Sequence, residues 1–349
     1  STGLKRTMKT SSAVMVGVGG TIGTGLFLSS GDVIATAGPG GAIVMYLVGG
    51  LIMWLMTTCL GELSAAMPVS GSLQAYSTEF INPAMGFTIM RDILPGTPTW
   101  LWIVIFSVVM FGVNILDANL FGKVSFWVSS LKILLVVAFV IVGVALMCGA
   151  GDQGVIGLSN YTNNGGLFPA GLAGMGAVIL TSFYAYAGTE LIGSTAGELE
   201  DVKKVPKMIN LTVFVLIGAT VISIAVVAGL LPWDQASVLG SPFVYAFRHA
   251  GLNGAALIVN ILVLSSALTS GNYFAYGCAR YLWSMAKFGQ APKICAKTSK
   301  KGVPIVALCV SMAFALIGIV SEFVAEDTVY LFLIYFIGGG NIFLYTVIC

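Results

Sequence analysis

Long apolar segments follow one another along almost the whole chain, and few charged residues interrupt them. A transmembrane helix needs about 20 mostly apolar residues, and the sequence contains nine segments of that kind. Their approximate limits are 11–36, 41–67, 98–117, 124–148, 170–197, 208–231, 252–284, 303–322 and 328–349. Charged residues make up only 9% of the chain, against roughly a quarter in a soluble domain. We therefore predict an all-α membrane protein, with a single transmembrane domain over residues 1–349 that is surrounded by lipid.

Several functional classes are not supported by the residues present. The chain has one histidine and six scattered cysteines without metal-ligand spacing, so we expect no metal site and no bound cofactor. We find no nucleophile with a neighbouring base, and therefore do not expect an enzyme. The glycine-rich run near the N-terminus lacks the spacing of a dinucleotide-binding loop and follows no strand. A nucleic-acid partner is not expected either.

The distribution of Lys and Arg tests the number of crossings, because cytoplasmic loops of membrane proteins are enriched in both. With a cytoplasmic N-terminus and nine crossings, 10 basic residues fall outside and 5 inside. One extra crossing between Phe87 and Arg91 inverts the later loops and places 13 inside and 2 outside, with Lys132 within the membrane. We therefore predict an inner (cytoplasmic) membrane protein with a cytoplasmic N-terminus, in which a third helix is missing near residues 87–90.

With that helix restored, the spans form two groups of five. An odd number of helices in each repeat makes the second copy run in the opposite direction across the membrane. The predicted fold is thus an inverted five-plus-five repeat, with the first repeat at about 11–148 and the second at about 170–349. The first and sixth spans then correspond, and each contains an interruption.

The interruption in the first span is rich in glycine, with five glycines within residues 17–25. Each costs about 1 kcal/mol relative to alanine inside a helix, and unwound backbone survives in a membrane only when it is buried in protein or lines a cavity. Free amides at the positive end of a half-helix suit a carboxylate. The alternative is close helix packing through Gly19 and Gly23. The candidate carboxylate-binding residues are Gly19, Gly20, Thr21, Ile22, Gly23, Thr24 and Gly25.

The interruption in the sixth span offers the opposite chemistry. Gly188 and Thr189 break the apolar run, and Glu190 places an ionisable group at membrane depth. Main-chain carbonyls there could accept hydrogen bonds from an ammonium group, although ordinary packing is an equal alternative for the tyrosines. The candidate residues are Tyr184, Ala185, Tyr186, Ala187, Thr189 and Glu190. A zwitterionic amino acid would need both breaks.

Other polar residues within the spans are further candidates. Burying a lysine such as Lys132 within a membrane span costs free energy, so its presence there suggests that it has a function. It could donate to carbonyls of the first break and exchange protons during transport, or it could extend to the cytoplasmic face. Glu190 and Glu198 are the other candidates for proton coupling, with a gating role open for Glu198. Asn272 is a further substrate-binding candidate, and its side chain either forms a helix-packing hydrogen bond or lines a cavity.

These motifs resemble the amino acid–polyamine–organocation (APC) superfamily, in particular its amino acid permease branch and the bacterial lysine-specific permeases. The resemblance covers essentially the whole chain. It rests on Gly19-Gly20-Thr21-Ile22-Gly23-Thr24-Gly25-Leu26-Phe27, Ala37-Gly38-Pro39-Gly40-Gly41, Gly61-Glu62-Leu63, Pro68-Val69-Ser70-Gly71-Ser72, Gly188-Thr189-Glu190-Leu191-Ile192-Gly193, Ala196-Gly197-Glu198 and Gly302-Val303-Pro304.

The resemblance implies the fold of sodium-coupled leucine transporters, usually with twelve helices, and proton-driven uptake. It implies that Gly20 to Gly25 hold the substrate carboxylate, that Tyr184 to Ala187 hold its amine, and that Lys132 matches a fifth-helix lysine of proton-coupled relatives. The chain differs from the family in lacking the third helix, and helices 11 and 12 are expected beyond its end.

The sequence thus predicts proton-coupled uptake of an amino acid, with lysine or another cationic amino acid as the first candidate, by alternating access. Exchange of one amino acid for another remains open, because exchangers share this fold. A neutral substrate also remains open, since Glu190 occurs in relatives that carry uncharged amino acids. A nutrient sensor that no longer transports is the last alternative.

Overall fold

The computed structural model describes residues 7–66, 99–116, 118–150, 154–189, 198–199, 201–236, 241–249, 251, 253–316 and 335. Three sequence predictions lie outside these residues: the junction at 87–90, Glu190, and nearly all of the span at 328–349. Within the described residues the chain is helical, with one isolated parallel bridge between Met8 and Leu199.

The helices follow the predicted spans closely. The first half contains α1 (Thr10–Thr21), α2 (Thr24–Phe27), α3 (Ser30–Ala66), α4 (Thr99–Asn114) and α5 (Ala118–Met147). The second half contains α6 (Ser159–Thr162), α7 (Gly171–Ala177), α8 (Ile179–Tyr184), α9 (Val205–Leu230), α10 (Pro242–His249), α11 (Asn253–Lys287) and α12 (Ile305–Leu316). Short 3-10 helices occupy Val202–Lys204, Trp233–Gln235 and Lys293–Ala296.

Five helical segments within the described ranges are long and apolar enough to cross a membrane. They are Thr10–Phe27, Ser30–Cys59, Asn119–Met147, Val205–Leu230 and Ala256–Lys287. A shorter apolar helix covers Val104–Asn114. The all-α membrane class predicted from the sequence is therefore confirmed.

The boundary between the first two spans differs from the prediction. Instead of a loop at 37–40, α3 continues through this region with one non-helical residue, Gly38, at φ 77° and ψ 173°. Only glycine adopts such a positive φ readily, and a Cβ at this position would lie 2.3 Å from the Cδ of Pro169. Pro39 follows directly and starts the second span, since proline is tolerated in the first turn of a helix. The two spans are thus joined by a kink.

Helix α1 occupies the interior of the protein. It packs against α5, α9 and α11, and 72% of the Thr10–Phe27 segment is buried, against 28% of Asn119–Met147 in α5. The outer face of α5 exposes large apolar side chains such as Leu131, Leu134 and Ile141, as expected for a helix that borders lipid. The interior position of α1 brings its glycine-rich end to the centre of the helical bundle.

Candidate substrate and proton site

The first break lies between α1 and α2. Helix α1 ends at Thr21, Ile22 is extended at φ −67° and ψ 96°, and Gly23 is non-helical at φ −147° and ψ −143°. The amides of Leu26 and Phe27 both donate to the Gly23 carbonyl, which starts the second half-helix.

The run of open amides is shorter than the sequence predicted. Gly19, Gly20 and Thr21 lie within helix α1, so their amides belong to its hydrogen-bonded ladder. The open segment begins at Gly23. Within the part of the chain that the structure describes, the amides of Gly23, Thr24 and Gly25 form no backbone hydrogen bond. These three donors, at the N-terminal end of a half-helix, are the better candidates for binding a carboxylate.

The glycines of α1 and of the first break also allow close packing, the alternative interpretation of this segment. A Cβ on Gly19 would lie 1.7 Å from the Oγ of Ser129 on α5. A Cβ on Gly20 would lie 2.0 Å from the ring of Tyr273, and one on Gly23 would lie 2.2 Å from the Oγ of Ser270. Real Cβ atoms do not approach other atoms this closely, so a larger residue at any of these positions would require the segment or its neighbours on α5 and α11 to shift. Packing and unwinding therefore occur in the same segment.

The second break follows α8. Residues 185–188 form a turn, and Gly188 has a φ of +100°, which favours glycine. The Tyr184 carbonyl accepts the amide of Ala187 at 3.0 Å, and the Tyr186 carbonyl accepts the amide of Thr189 at 3.3 Å. The turn therefore uses the Tyr184 carbonyl, which was predicted to face an ammonium group, as well as the Tyr186 carbonyl. The carbonyls of Ala185 and Ala187 accept no backbone hydrogen bond from the other described residues.

The two breaks are in direct contact. A Cβ on Gly25 would lie 2.5 Å from the Cα of Ala185 and 3.1 Å from the Tyr184 carbonyl oxygen, so main chain lies against main chain. The hydroxyls of Thr24 and Tyr184 are 2.7 Å apart and share a hydrogen bond. The open amides of the first break and the carbonyls of the second therefore border the same region of the protein.

The side chain of Tyr186 has a packing role. Its hydroxyl donates to the carbonyl of Tyr46 on α3 at 2.7 Å, and the two rings meet edge to face with their centroids 6.4 Å apart. Tyr186 is fully buried. Of the two tyrosines predicted for this site, Tyr184 thus joins the breaks, whereas the side chain of Tyr186 attaches its segment to α3.

The ammonium of Lys132, on α5, is hydrogen-bonded at the point where α1 ends and the first break begins. It donates to the carbonyl oxygens of Gly19 at 2.5 Å and Ile22 at 2.8 Å, and to the hydroxyl of Thr269 on α11 at 2.5 Å. The side chain is 1% exposed, so it does not extend to the cytoplasmic face. Among the residues that the structure describes, no carboxylate forms an ion pair with it.

Glu198 lies in a buried cluster with residues that sequence reasoning missed. Its carboxylate accepts a hydrogen bond from the Tyr276 hydroxyl and forms an ion pair with Arg280, with Nε and Oε1 3.1 Å apart. All three side chains are 1% exposed or less. A signal for Arg280 was present, because it falls inside the predicted span 252–284, where an arginine needs a partner.

Asn272 combines both roles considered for it. Its side-chain oxygen accepts a hydrogen bond from the amide of Asn114 on α4 at 2.7 Å, which joins α4 to α11. The residue also lines a cavity together with Gly19, Gly20 and Thr269. Its participation in substrate binding stays a prediction.

The sequence matches the profile of a known family over most of its length. The family, described as Amino acid permease, matches residues 12–91 and 88–349. These two matched segments meet at the junction where the basic residues predict a missing crossing.

Curated relatives are similar over nearly the whole chain. The amino-acid permease RocE of Bacillus subtilis is 40% identical over 359 residues, covering 95% of this chain and 76% of the relative. A putative histidine permease of the same organism is 38% identical, with 97% and 77% covered. The lysine-specific permease LysP of Escherichia coli is 36% identical, with 95% and 74% covered.

Solved structures show the same fold at low sequence identity. A Na+-coupled sialic acid symporter in a substrate-bound, outward-open state gives a TM-score of 0.55 at 12% identity, and the match covers 92% of this chain and 75% of that one. The chain therefore has the leucine-transporter-type fold with broken first and sixth spans. The matched profile and the identity to curated permeases place this chain in the amino acid permease family of the APC superfamily.

Proposed function

We propose that this permease takes up an amino acid together with a proton by alternating access across the cytoplasmic membrane, with a cationic amino acid such as lysine as the first candidate. The observation that carries the proposal is the contact between the two breaks, with Lys132 bound to the end of one of them. Membership of the permease family supports amino acid transport, and the geometry supports the more specific steps.

The contact between the breaks suits the two charged ends of an amino acid. The amides of Gly23, Thr24 and Gly25 are donors at the positive end of a half-helix, where a carboxylate is stabilised. The carbonyls of Ala185 and Ala187 are acceptors for an ammonium group. Because Gly25 lies against Ala185, one small molecule can reach both sets of groups.

Lys132 couples the proton to this site through the main chain. When it carries a proton, its ammonium holds the carbonyls of Gly19 and Ile22, which fixes the end of α1 directly before the open amide of Gly23. A neutral amine has fewer protons to donate, so loss of the proton releases part of this contact. Substrate binding at Gly23 and protonation of Lys132 would then favour each other, as linkage requires.

The orientation of the chain is supported by the pairing of Met8 with Leu199. The amides of Thr7 and Met8 donate to the Glu198 carbonyl at 3.0 and 2.9 Å, so the two segments lie on one side of the membrane. Five predicted spans separate them, and an odd number of crossings would leave them on opposite sides. The pairing therefore supports one further crossing between them, in agreement with a cytoplasmic N-terminus.

The choice of substrate is the least constrained part of the proposal. The relatives include a lysine-specific permease at 36% identity and a putative histidine permease at 38%, so overall identity does not separate their substrates. The name of the lysine-specific permease supports a cationic amino acid as the first candidate.

The test is uptake of labelled lysine into proteoliposomes under imposed gradients. We expect accumulation with an inward proton gradient, none with a sodium gradient, and competition by other cationic amino acids before neutral ones. Uptake that ignores the proton gradient and requires internal amino acid would replace symport with exchange. Binding without any uptake would indicate a sensor.

A further inference from the structure

The connection between α11 and α12 carries a dense group of positive charges. Helix α11 ends at Lys287, and α12 begins at Ile305. Residues 287–301 include five lysines and no Asp or Glu, whereas the whole chain has a formal net charge of only +2. These five residues, called the loop lysines below, are Lys287, Lys293, Lys297, Lys300 and Lys301. All five are exposed, and no carboxylate in the part of the chain that the structure describes forms an ion pair with them.

Two large apolar side chains are exposed among the loop lysines. Phe288 follows Lys287 and is 64% exposed, and Ile294 follows Lys293 and is 54% exposed. Basic segments with exposed apolar side chains are typical of the membrane interface, where the apolar groups enter the boundary between headgroups and acyl chains. Positive charge alone would suit any anion, so the two apolar side chains are what favours a lipid.

The loop is held against the two helices that it joins. The indole of Trp283 on α11 donates to the Ala296 carbonyl at 3.1 Å, and Cys295 is buried in a cluster with apolar residues of α11 and α12. The amide of Ser299 donates to the Val303 carbonyl at 2.8 Å. Ordering a flexible segment on binding costs free energy, so a loop that is already fastened presents its lysines at a smaller cost.

The position of the loop places it beside the membrane surface. It joins the predicted spans 252–284 and 303–322, so each of its ends lies where a span leaves the membrane. Arg280 pairs with Glu198, whose carbonyl binds the segment before α1, and Lys287 lies about 10 Å further along α11. The loop is therefore on the same side as the N-terminus, which is the cytoplasmic side in the proposed orientation.

We infer that residues 287–301 form a docking surface for anionic phospholipids of the adjacent leaflet. The loop lysines lie at the headgroup phosphates, and Phe288 and Ile294 insert between the lipids. Anionic headgroups give the cytoplasmic leaflet a negative surface potential, which attracts basic segments next to membrane spans. This surface is separate from the candidate substrate and proton site, so the inference goes beyond the proposed function.

The experiment measures lipid binding by the full chain. The purified protein is held on beads in a neutral detergent and titrated with phosphatidylglycerol that carries a label on one acyl chain, and the mole fraction of lipid at half-saturation is measured. We expect saturable binding, and binding of labelled phosphatidylcholine that is about tenfold weaker or more, because its headgroup has no net charge. Replacing all five loop lysines by Gln should weaken phosphatidylglycerol binding about 25-fold, the effect of losing two lysine contacts at about fivefold each.

The chain offers a control of equal charge. Five exposed lysines outside the loop are replaced by Gln in that variant: Lys9, Lys123, Lys203, Lys204 and Lys207. It loses as many charges as the loop variant but keeps residues 287–301 intact, so its binding should weaken about twofold at most.

Two smaller variants separate the charged and apolar parts of the surface. Lys293→Gln with Lys297→Gln removes the lysines on either side of Ile294, should weaken binding about fivefold or more, and decides the question if the five-lysine variant does not fold. Phe288→Ser changes no charge and should weaken binding about fivefold, because its ring no longer leaves water.

Wild-type binding by the folded five-lysine variant, or by Lys293→Gln with Lys297→Gln where the first does not fold, would overturn the lipid surface. Equal weakening in the charge-matched control would overturn it as well, since net charge and not this loop would then decide binding. Displacement of the lipid by inorganic phosphate or by polyglutamate would replace the lipid with a soluble anion. The readout uses neither an amino acid nor a proton gradient, so failure of the proposed transport would appear separately.

Discussion

Two buried charged sites of this permease are built in opposite ways. At the end of the first break, the ammonium of Lys132 is bound by two main-chain carbonyls and a hydroxyl, all of them neutral. Near the start of α5, the carboxylate of Glu198 is matched by the guanidinium of Arg280. The Lys132, Glu198 and Arg280 side chains are equally inaccessible, at 1% exposure each.

Under the proposed proton-coupled function, this difference favours one of the two sites as the one that changes its charge. When a lysine surrounded by neutral acceptors loses its proton, no opposite charge is left behind. When one member of a buried ion pair loses its charge, the other is left uncompensated at a cost of several kcal/mol. In the proposed proton-coupled cycle, Lys132 is therefore the better candidate for a group that changes its charge, and the Glu198–Arg280 pair is better suited to stay charged.

The largest expected effect concerns the stability of the ion-paired site. Arg280→Met leaves the Glu198 carboxylate buried without its partner and should lower the free energy of unfolding by about 3–5 kcal/mol. Combining it with Glu198→Gln should restore most of that loss. Thermal unfolding of the purified variants in detergent measures both. Additive losses in the double variant would contradict a coupled pair.

The next largest effect should come from a substitution at the contact between the breaks, and it should appear in the rate of transport. Gly25→Ala places a Cβ 2.5 Å from the Cα of Ala185, so one break must move by about 1 Å. A displacement of that size at a site where groups are aligned can lower a rate about 100-fold, and we expect such a loss in the rate of labelled amino acid uptake. Gly218→Ala on α9, where an added Cβ meets nothing within 4 Å, is the control and should transport normally.

Removing the ammonium of Lys132, whose described partners are all neutral, should have a smaller effect on stability. Lys132→Met leaves the Gly19 and Ile22 carbonyls without their donor, but it also removes the penalty of burying an unpaired ammonium. We expect the free energy of unfolding to fall by about 1–2 kcal/mol, less than in Arg280→Met under the same conditions. An equal or larger loss would remove the contrast between the two sites.

The smallest effect should come from the hydroxyl that joins the breaks. Tyr184→Phe removes its hydrogen bond to Thr24, worth about 1 kcal/mol, and should raise the KM for uptake about fivefold. Tyr161→Phe removes a comparable bond to the Ala225 carbonyl away from the breaks. It should leave KM unchanged, and a similar rise in both variants would show that the effect is not local.

Several of these features were predictable from the sequence because the evidence for them is local. The glycines of residues 17–25 predicted a break that the structure places at Ile22 and Gly23. Gly188 predicted the second break and has a positive φ. A lysine inside an apolar span needs oxygen partners, and Lys132 has them at the first break.

The ion-paired cluster was not predicted, because its partners are distant in the sequence. Glu198 and Arg280 are separated by 82 residues and Glu198 and Tyr276 by 78, and no periodicity relates positions so far apart. The number of open amides was also overestimated. Glycine lowers helix propensity, but at Gly19 and Gly20 it permits close packing against α5 and α11, and α1 remains helical through Thr21.

The most direct test of proton coupling through Lys132 measures how many protons enter with each lysine. Proteoliposomes loaded with a pH-sensitive dye report protons that enter when external lysine is added, alongside labelled lysine uptake. We predict that the wild-type protein acidifies the lumen in proportion to uptake, and that Lys132→Ala exchanges labelled for unlabelled lysine without acidification, whereas Lys123→Ala on the exposed part of α5 behaves as wild type. Proton entry with lysine in Lys132→Ala at the wild-type ratio would contradict the account.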